Sequence, residues 1–172
     1  MTYQIDSKHS SAHFKVRHLM IANVRGDFDS VTGTVAFDPA QPDAAKIEAT
    51  IDVNSVHTGE AQRDAHVKTP DLFDAEKHPT ITFRSKKITP SGNGNFKAAG
   101  DLTLRGVTKE ITLDVEGLSD EVTDMWKLQR RGVAATTRIS RKEFGMTFDP
   151  AGAIVSDAVE ITIDIEMTRP AS

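Results

Sequence analysis

The sequence predicts an all-β, antiparallel domain, and three observations carry that prediction. About eight stretches alternate apolar and polar residues with the two-residue period of a strand. The polar side of most stretches is charged, which marks sheet with one wet face, since buried parallel strands read as unbroken apolar runs. Helical spacing is confined to a few short segments, too little to cover such a sheet.

The elements follow in chain order. Ala12, Phe14 and Val16 alternate with Ser11, His13, Lys15 and Arg17, and the run ends at His18. Val31, Gly33, Val35 and Phe37 form the next, then Ile47, Ala49, Ile51 and Val53. Ile81, Phe83 and Ser85 lead to a turn cluster at Pro90–Asn95. Phe96, Ala98, Gly100, Leu102 and Leu104 are followed by Arg105–Thr108, read as a four-residue loop that pairs Leu104 with Lys109 and Leu102 with Ile111. Ile111, Leu113 and Val115 come next, then Val133, Ala135, Thr137 and Ile139. The cleanest run is the last: Val159, Ile161, Ile163, Ile165 and Met167. Glu60–Thr69 has helical spacing with Thr58 as its expected N-cap, and Pro70–Phe73 starts a second short turn. Ser140 and Glu143 have capping-box spacing, and Gly145 can end that turn.

Strands with one apolar face must bury it, either between two packed sheets or inside one sheet that curls on itself. An eight-stranded barrel has room for side chains or for one small ligand. The inward set is rich in small residues (Ala12, Gly33, Ala49, Ser85, Ala98, Gly100, Ala135), which would leave volume near the axis. On pattern alone, sandwich and barrel stand level.

Composition narrows the function classes. The 172 residues carry a net charge of −4 and no cysteine. Thiolate catalysis, thiolate zinc sites and disulfides are excluded. An acidic chain with mixed signs argues against nucleic acid and anionic membrane surfaces as partners. No apolar run reaches the roughly 18 residues of a spanning helix. The opening Met-Thr-Tyr-Gln-Ile-Asp lacks the basic and apolar regions of a signal peptide, so a cytoplasmic location is expected, or a periplasmic one where a leader has been removed.

The motifs then resemble one family. Ile5-Asp6-Ser7-Lys8-His9-Ser10 and Phe14–His18 form its opening block. Arg63-Asp64-Ala65-His66, Asp71-Leu72-Phe73-Asp74 and His78-Pro79 match its middle. Gly100–Lys109 matches its hairpin and Arg141-Lys142-Glu143-Phe144-Gly145 its late turn. Nearly the whole chain resembles the YceI family, lipocalin-like proteins associated with polyisoprenoids. The resemblance implies an extended antiparallel eight-stranded lipocalin-like barrel with short helical segments at one mouth, holding an isoprenoid or acyl chain.

The expected lining comprises Phe14, Val16, Phe28, Phe37, Ile51, Phe73, Phe83, Leu102, Leu113, Trp126, Phe144 and Ile161, with Trp126 placed at the mouth where its indole N–H finds a partner. His18, Arg63 and His66 are the residues expected to meet a polar ligand head, while Asp64 is read as tying the helix to the barrel. The six histidines show no tight ligand spacing, so no metal and no cofactor is expected beyond a bound isoprenoid or quinone. No Gly-x-Ser-x-Gly or phosphate loop is present, so no catalytic residue is assigned. The leading expectation is non-catalytic binding, storage or transport of a long apolar ligand. The rivals are a stress-response or interaction module with a filled cavity, and an enzyme acting on an isoprenoid. Exposed strand edges would permit a homodimer.

Overall fold

The computed structural model describes residues 1–171. Its strands are β1 (Thr2–Ile5), β2 (Ser11–His18), β3 (Ala22–Phe28), β4 (Val31–Ala36), β5 (Lys46–Asp52), β6 (Val56–His57), β7 (Thr80–Gly92), β8 (Asn95–Leu104), β9 (Val107–Glu116), β10 (Val122–Thr123), β11 (Leu128–Ser140) and β12 (Ala158–Pro170). One α-helix, α1 (Ala61–Val67), lies between β6 and β7. Four pairs of strands act as single interrupted strands, one of them β9 and β10, which share one edge of β11, with Glu116 opposite Ala134 and Val122 opposite Arg130. β1 and β2 share one edge of β12, with Gln4 opposite Thr168 and Ser11 opposite Asp164. β3 and β4 run back along them, and β5 and β6 are separated only by the turn Val53–Ser55. Counted that way, eight antiparallel strands close into a barrel when β11 pairs with β12 along their whole length. Closure removes the free edges an open sheet would carry.

The sequence accounts for the interruptions. Asp6 turns the chain out of β1: one carboxylate oxygen accepts from the Lys8 amide at 3.1 Å, and the other meets His9 Nδ1 at 2.9 Å. Ser10 then rejoins β12 by bonding both the amide and the carbonyl of Glu166. The opening motif is therefore a built break in a strand. Arg130 clamps it from β11, reaching Asp6 at 2.9 Å, Asp124 at 2.6 Å and Glu166. The His9 and Arg130 bonds lower the Asp6 pKa to about 2, against a smaller opposing effect of burial.

Several local expectations are corrected. The β8–β9 connection is a two-residue turn, Arg105-Gly106, with Leu104 opposite Val107 and Leu102 opposite Lys109. Both turn residues have positive φ (52° and 71°), the geometry that matches strand twist. The register moves by two residues, so every side chain keeps its expected face. The N-cap of α1 is Glu60, whose carboxylate accepts from the amides of Gln62 and Arg63. Thr58 instead donates its amide and hydroxyl to Asp64, at 2.7 and 2.5 Å. Those bonds lower the pKa of Asp64 and tie the helix to the end of β6. Gly145 does end its turn, at φ 79°.

The two ends of the barrel differ. β1 begins and β12 ends at one end, which a polar cluster seals. Tyr3, fully buried, donates to Glu121, and Arg169 reaches the same carboxylate at 2.7 Å. Arg131 bonds Tyr3 at 3.1 Å and lies over the Phe37 ring. The Arg169 bond, with that of Tyr3, lowers the Glu121 pKa. At the other end, α1, the Thr69–Pro79 segment and the Gly145–Asp157 loop gather. The last is held by Arg141, which is 2 % exposed. Its guanidinium donates to the carbonyls of Met146, Phe148, Asp149, Val155 and Ser156 at 2.5–3.1 Å. All five N–H groups thus find acceptors, which a buried guanidinium requires.

Candidate functional site

The inward faces of the strands enclose an apolar cavity of about 410 Å3 running most of the barrel's length. Alternation produces it. Each strand sends every second residue inward, so Ile161, Ile163 and Ile165 of β12 stand beside Val133 and Ala135 of β11 and Phe14 and Val16 of β2, all turned toward the same void. These side chains point to the axis yet stay half-exposed, because their neighbours do not fill the space between them. A packed sandwich would have sealed them.

The small inward residues divide into two sorts. Ala49 and Ala135 border the void, as their size predicts. Gly33 and Gly100 serve close approach of backbones instead. A Cβ on Gly33 would stand 2.0 Å from the Glu48 carbonyl oxygen, and one on Gly100 would stand 2.4 Å from that of Arg84.

Of the residues expected to line a ligand site, Phe14, Val16, His18, Phe28, Phe37, Ile51, Arg63, His66, Phe73, Phe83, Leu102, Leu113 and Ile161 border this cavity. Two do not. Trp126 sits in the turn before β11, at the end sealed by Tyr3 and Glu121, and is 70 % exposed. Asp124 accepts from its amide at 2.8 Å and folds that turn away from the barrel. Phe144 is 1 % exposed and packs into the core beneath the Lys142–Phe144 turn, outside the void. Residues the sequence reading passed over also border it, among them Thr58, Met146, Phe148 and Val155. They lie on loops, where no periodicity signals a direction. The sealing cluster was legible in principle, since Arg131 and Arg169 continue the inward parity of Val133 and Met167.

Polar lining gathers at the helical end. His66 Nε2 lies 3.0 Å from Asp71 and its ring meets Phe148 edge-on, with centroids 5.0 Å apart. The Arg63 guanidinium holds the hydroxyl of Thr58 at 3.0 Å and its carbonyl at 2.5 Å. Arg63 therefore positions the helix, and its side chain also borders the cavity. Phe14, Phe28 and Phe73 cluster below, with centroids 5.5–6.3 Å apart. This end is the mouth: Val16, His18, Val24 and Val155 are lining residues that remain half-exposed, whereas Tyr3, Phe37 and Met167 are buried at the far end.

His18, His57 and His66 do not assemble into a ligand group. Among the described residues, the three metal-type ligands that converge are Asp6, His9 and Glu166, and Arg130 already donates to both carboxylates.

A YceI-like domain family model matches residues 3–167. A UPF0312 protein of Vibrio cholerae is 38 % identical over 155 residues, covering 89 % of this chain and 82 % of its own. The crystal structure of Burkholderia cenocepacia BcnA superposes with a TM-score of 0.85 at 26 % identity, covering 94 % of this chain and 98 % of its own. A polyisoprenoid-binding domain from Saccharophagus degradans, implicated in plant cell wall breakdown, shares the fold at 19 % identity, with a TM-score of 0.73 and 98 % coverage of both chains. Barrel, motifs and family match agree, and the chain belongs to the YceI-like family.

Proposed function

We propose that this protein binds a long apolar chain inside the barrel and carries or stores it without chemical change. The observation that carries the reading is an apolar cavity of about 410 Å3 in whose lining Phe14, Val16, Val133, Ile161, Ile163 and Ile165 stay half-exposed. Such surface is costly to leave facing water, and a bound chain would cover it at about 0.8 kcal/mol per methylene before ordering costs. The fold shared with the Saccharophagus polyisoprenoid-binding domain supports an isoprenoid or similar chain as the class of ligand.

His18, Arg63 and His66 stand where a polar head would sit, beside the mouth. The head would meet few groups, since most of the polar atoms there already have protein partners. That suits a ligand with one small polar end, such as a quinone, alcohol or carboxylate.

The test is mass spectrometry of organic extracts from protein purified without detergent. A near-stoichiometric prenyl or acyl species is expected. An empty extract, together with no thermal shift on adding isoprenoid quinones or fatty acids, would overturn the reading and favour an interaction module.

A further inference from the structure

We propose that the tip of the β2–β3 hairpin docks the open mouth onto a lipid bilayer surface, so that a ligand passes between bilayer and barrel without crossing water. The inference rests on the cavity's being a lipid site. The tip is Leu19-Met20-Ile21, exposed by 50, 60 and 80 %, and Ile154 beside it is 43 % exposed. The Leu19 amide donates to the Ile154 carbonyl at 2.8 Å, so the four form one apolar patch across two loops. Isolated exposed apolar residues need no explanation, but a contiguous patch of large ones does.

Turn chemistry makes the choice of residues stranger. Leu19 and Met20 both have positive φ, 50° and 57°. Asparagine or glycine would suit those positions, and two bulky side chains do not. Nothing in the fold asks for them, since their side chains are not packed against the core.

Place in the fold then suggests the occupant. The residues flanking the tip lead into the cavity: His18, Val24 and Val155 border it, and His18 bridges Val155. The hairpin also stands above its neighbours, because β3 pairs with β6 only at Asp27 and Phe28. The apolar patch is thus continuous with the apolar interior at the mouth. Charge around the tip complements lipid phosphates. Arg17 donates to the Met20 carbonyl at 2.7 Å, and Lys142 to the Pro150 carbonyl at 2.6 Å. The carboxylates of the same loops are turned inward. Asp149 accepts from the amides of Ile154 and Val155, and Asp157 from Ser140 and Lys142; Glu143 is the exposed exception. The chain as a whole is acidic, at −4, so attraction of the whole molecule to anionic lipid does not drive docking. Apolar insertion of the tip does.

The test is sedimentation of the full chain with phosphatidylcholine vesicles, alone and with equimolar phosphatidylglycerol, together with uptake of a fluorescent fatty-acid probe from them. Three proteins are compared: wild type, a Leu19→Asn/Met20→Gly/Ile21→Ser variant, and Ala135→Phe, which fills the cavity and leaves the tip intact. Wild type is expected to sediment with both vesicles. The tip variant, whose turn residues suit its geometry, should lose vesicle binding by about tenfold or more. It should still take up probe presented from solution. Ala135→Phe should sediment as wild type does and take up little probe. Wild type that stays in the supernatant, or a tip variant that sediments equally, overturns the docking. Wild type that sediments but takes up no probe from either source overturns the cavity reading and leaves docking standing.

Discussion

Ala135→Phe separates an empty barrel from a filled one with two quantities of opposite sign. Ala135 lies midway along β11, between Val115 of β9 and Ile163 of β12, and borders the void. A phenyl ring there adds six carbons and removes space for a similar number of ligand methylenes. At about 0.8 kcal/mol each, and allowing the chain to reroute around the ring, affinity should fall by about 2–4 kcal/mol, or roughly 30- to 1000-fold. The ring itself would cover exposed apolar surface, stabilising the unliganded protein by about 1–2 kcal/mol. For a chain this size that raises Tm by about 2–8 °C. Displacement of a fluorescent fatty-acid probe reads the first quantity and calorimetry reads the second. In a tightly packed interior the same ring would overpack it, costing about 1–3 kcal/mol. A lower Tm with unchanged probe binding would therefore refute the cavity argument.

Other outcomes follow from the fold. Arg141→Met strands five carbonyls of the Gly145–Asp157 loop and should cost at least about 3 kcal/mol in urea unfolding. Arg141→Lys should recover only part of that loss, having three donors in place of five. The Asp6 carboxylate has its pKa depressed in the folded state, from 3.8 to about 2. Its contribution is therefore complete above about pH 4 and is lost as pH falls through 3.8 toward 2. Asp6→Asn should be less stable than wild type at neutral pH, and the difference should shrink across that window in acid titrations followed by circular dichroism. Replacing Glu121 with Gln should loosen the sealed end, with faster amide exchange around Tyr3 and Arg169 as the readout.

The sequence by itself determined the all-β class, the faces of the strands and most of the wall. A period of two fixes which residues share a side whatever their partners are. That is why Ile161, Leu113 and Phe83 were legible as inward residues, and why a hairpin register wrong by two still placed every side chain correctly. The turn ending at Gly145 was local and equally readable, while at Gly106 the turn's position was readable and its length was not.

Only the tertiary structure decided closure, since pairing of β11 with β12 joins residues whose patterns suit a sandwich equally well. It also decided what the small residues do. Ala135 borders space while Gly100 admits the backbone of β7, and nothing in either residue's neighbourhood in sequence separates the two cases. Trp126 and Phe144 were misplaced for the same reason. They lie on turns, where side-chain direction follows the turn's own hydrogen bonds and its packing in place of a repeat. The mouth is likewise built from loops. Arg63 and Asp64 tie α1 back to Thr58, and Arg141 gathers the Gly145–Asp157 loop, through side-chain bonds that no strand periodicity signals, so the mouth's shape is not written in the pattern of any one strand.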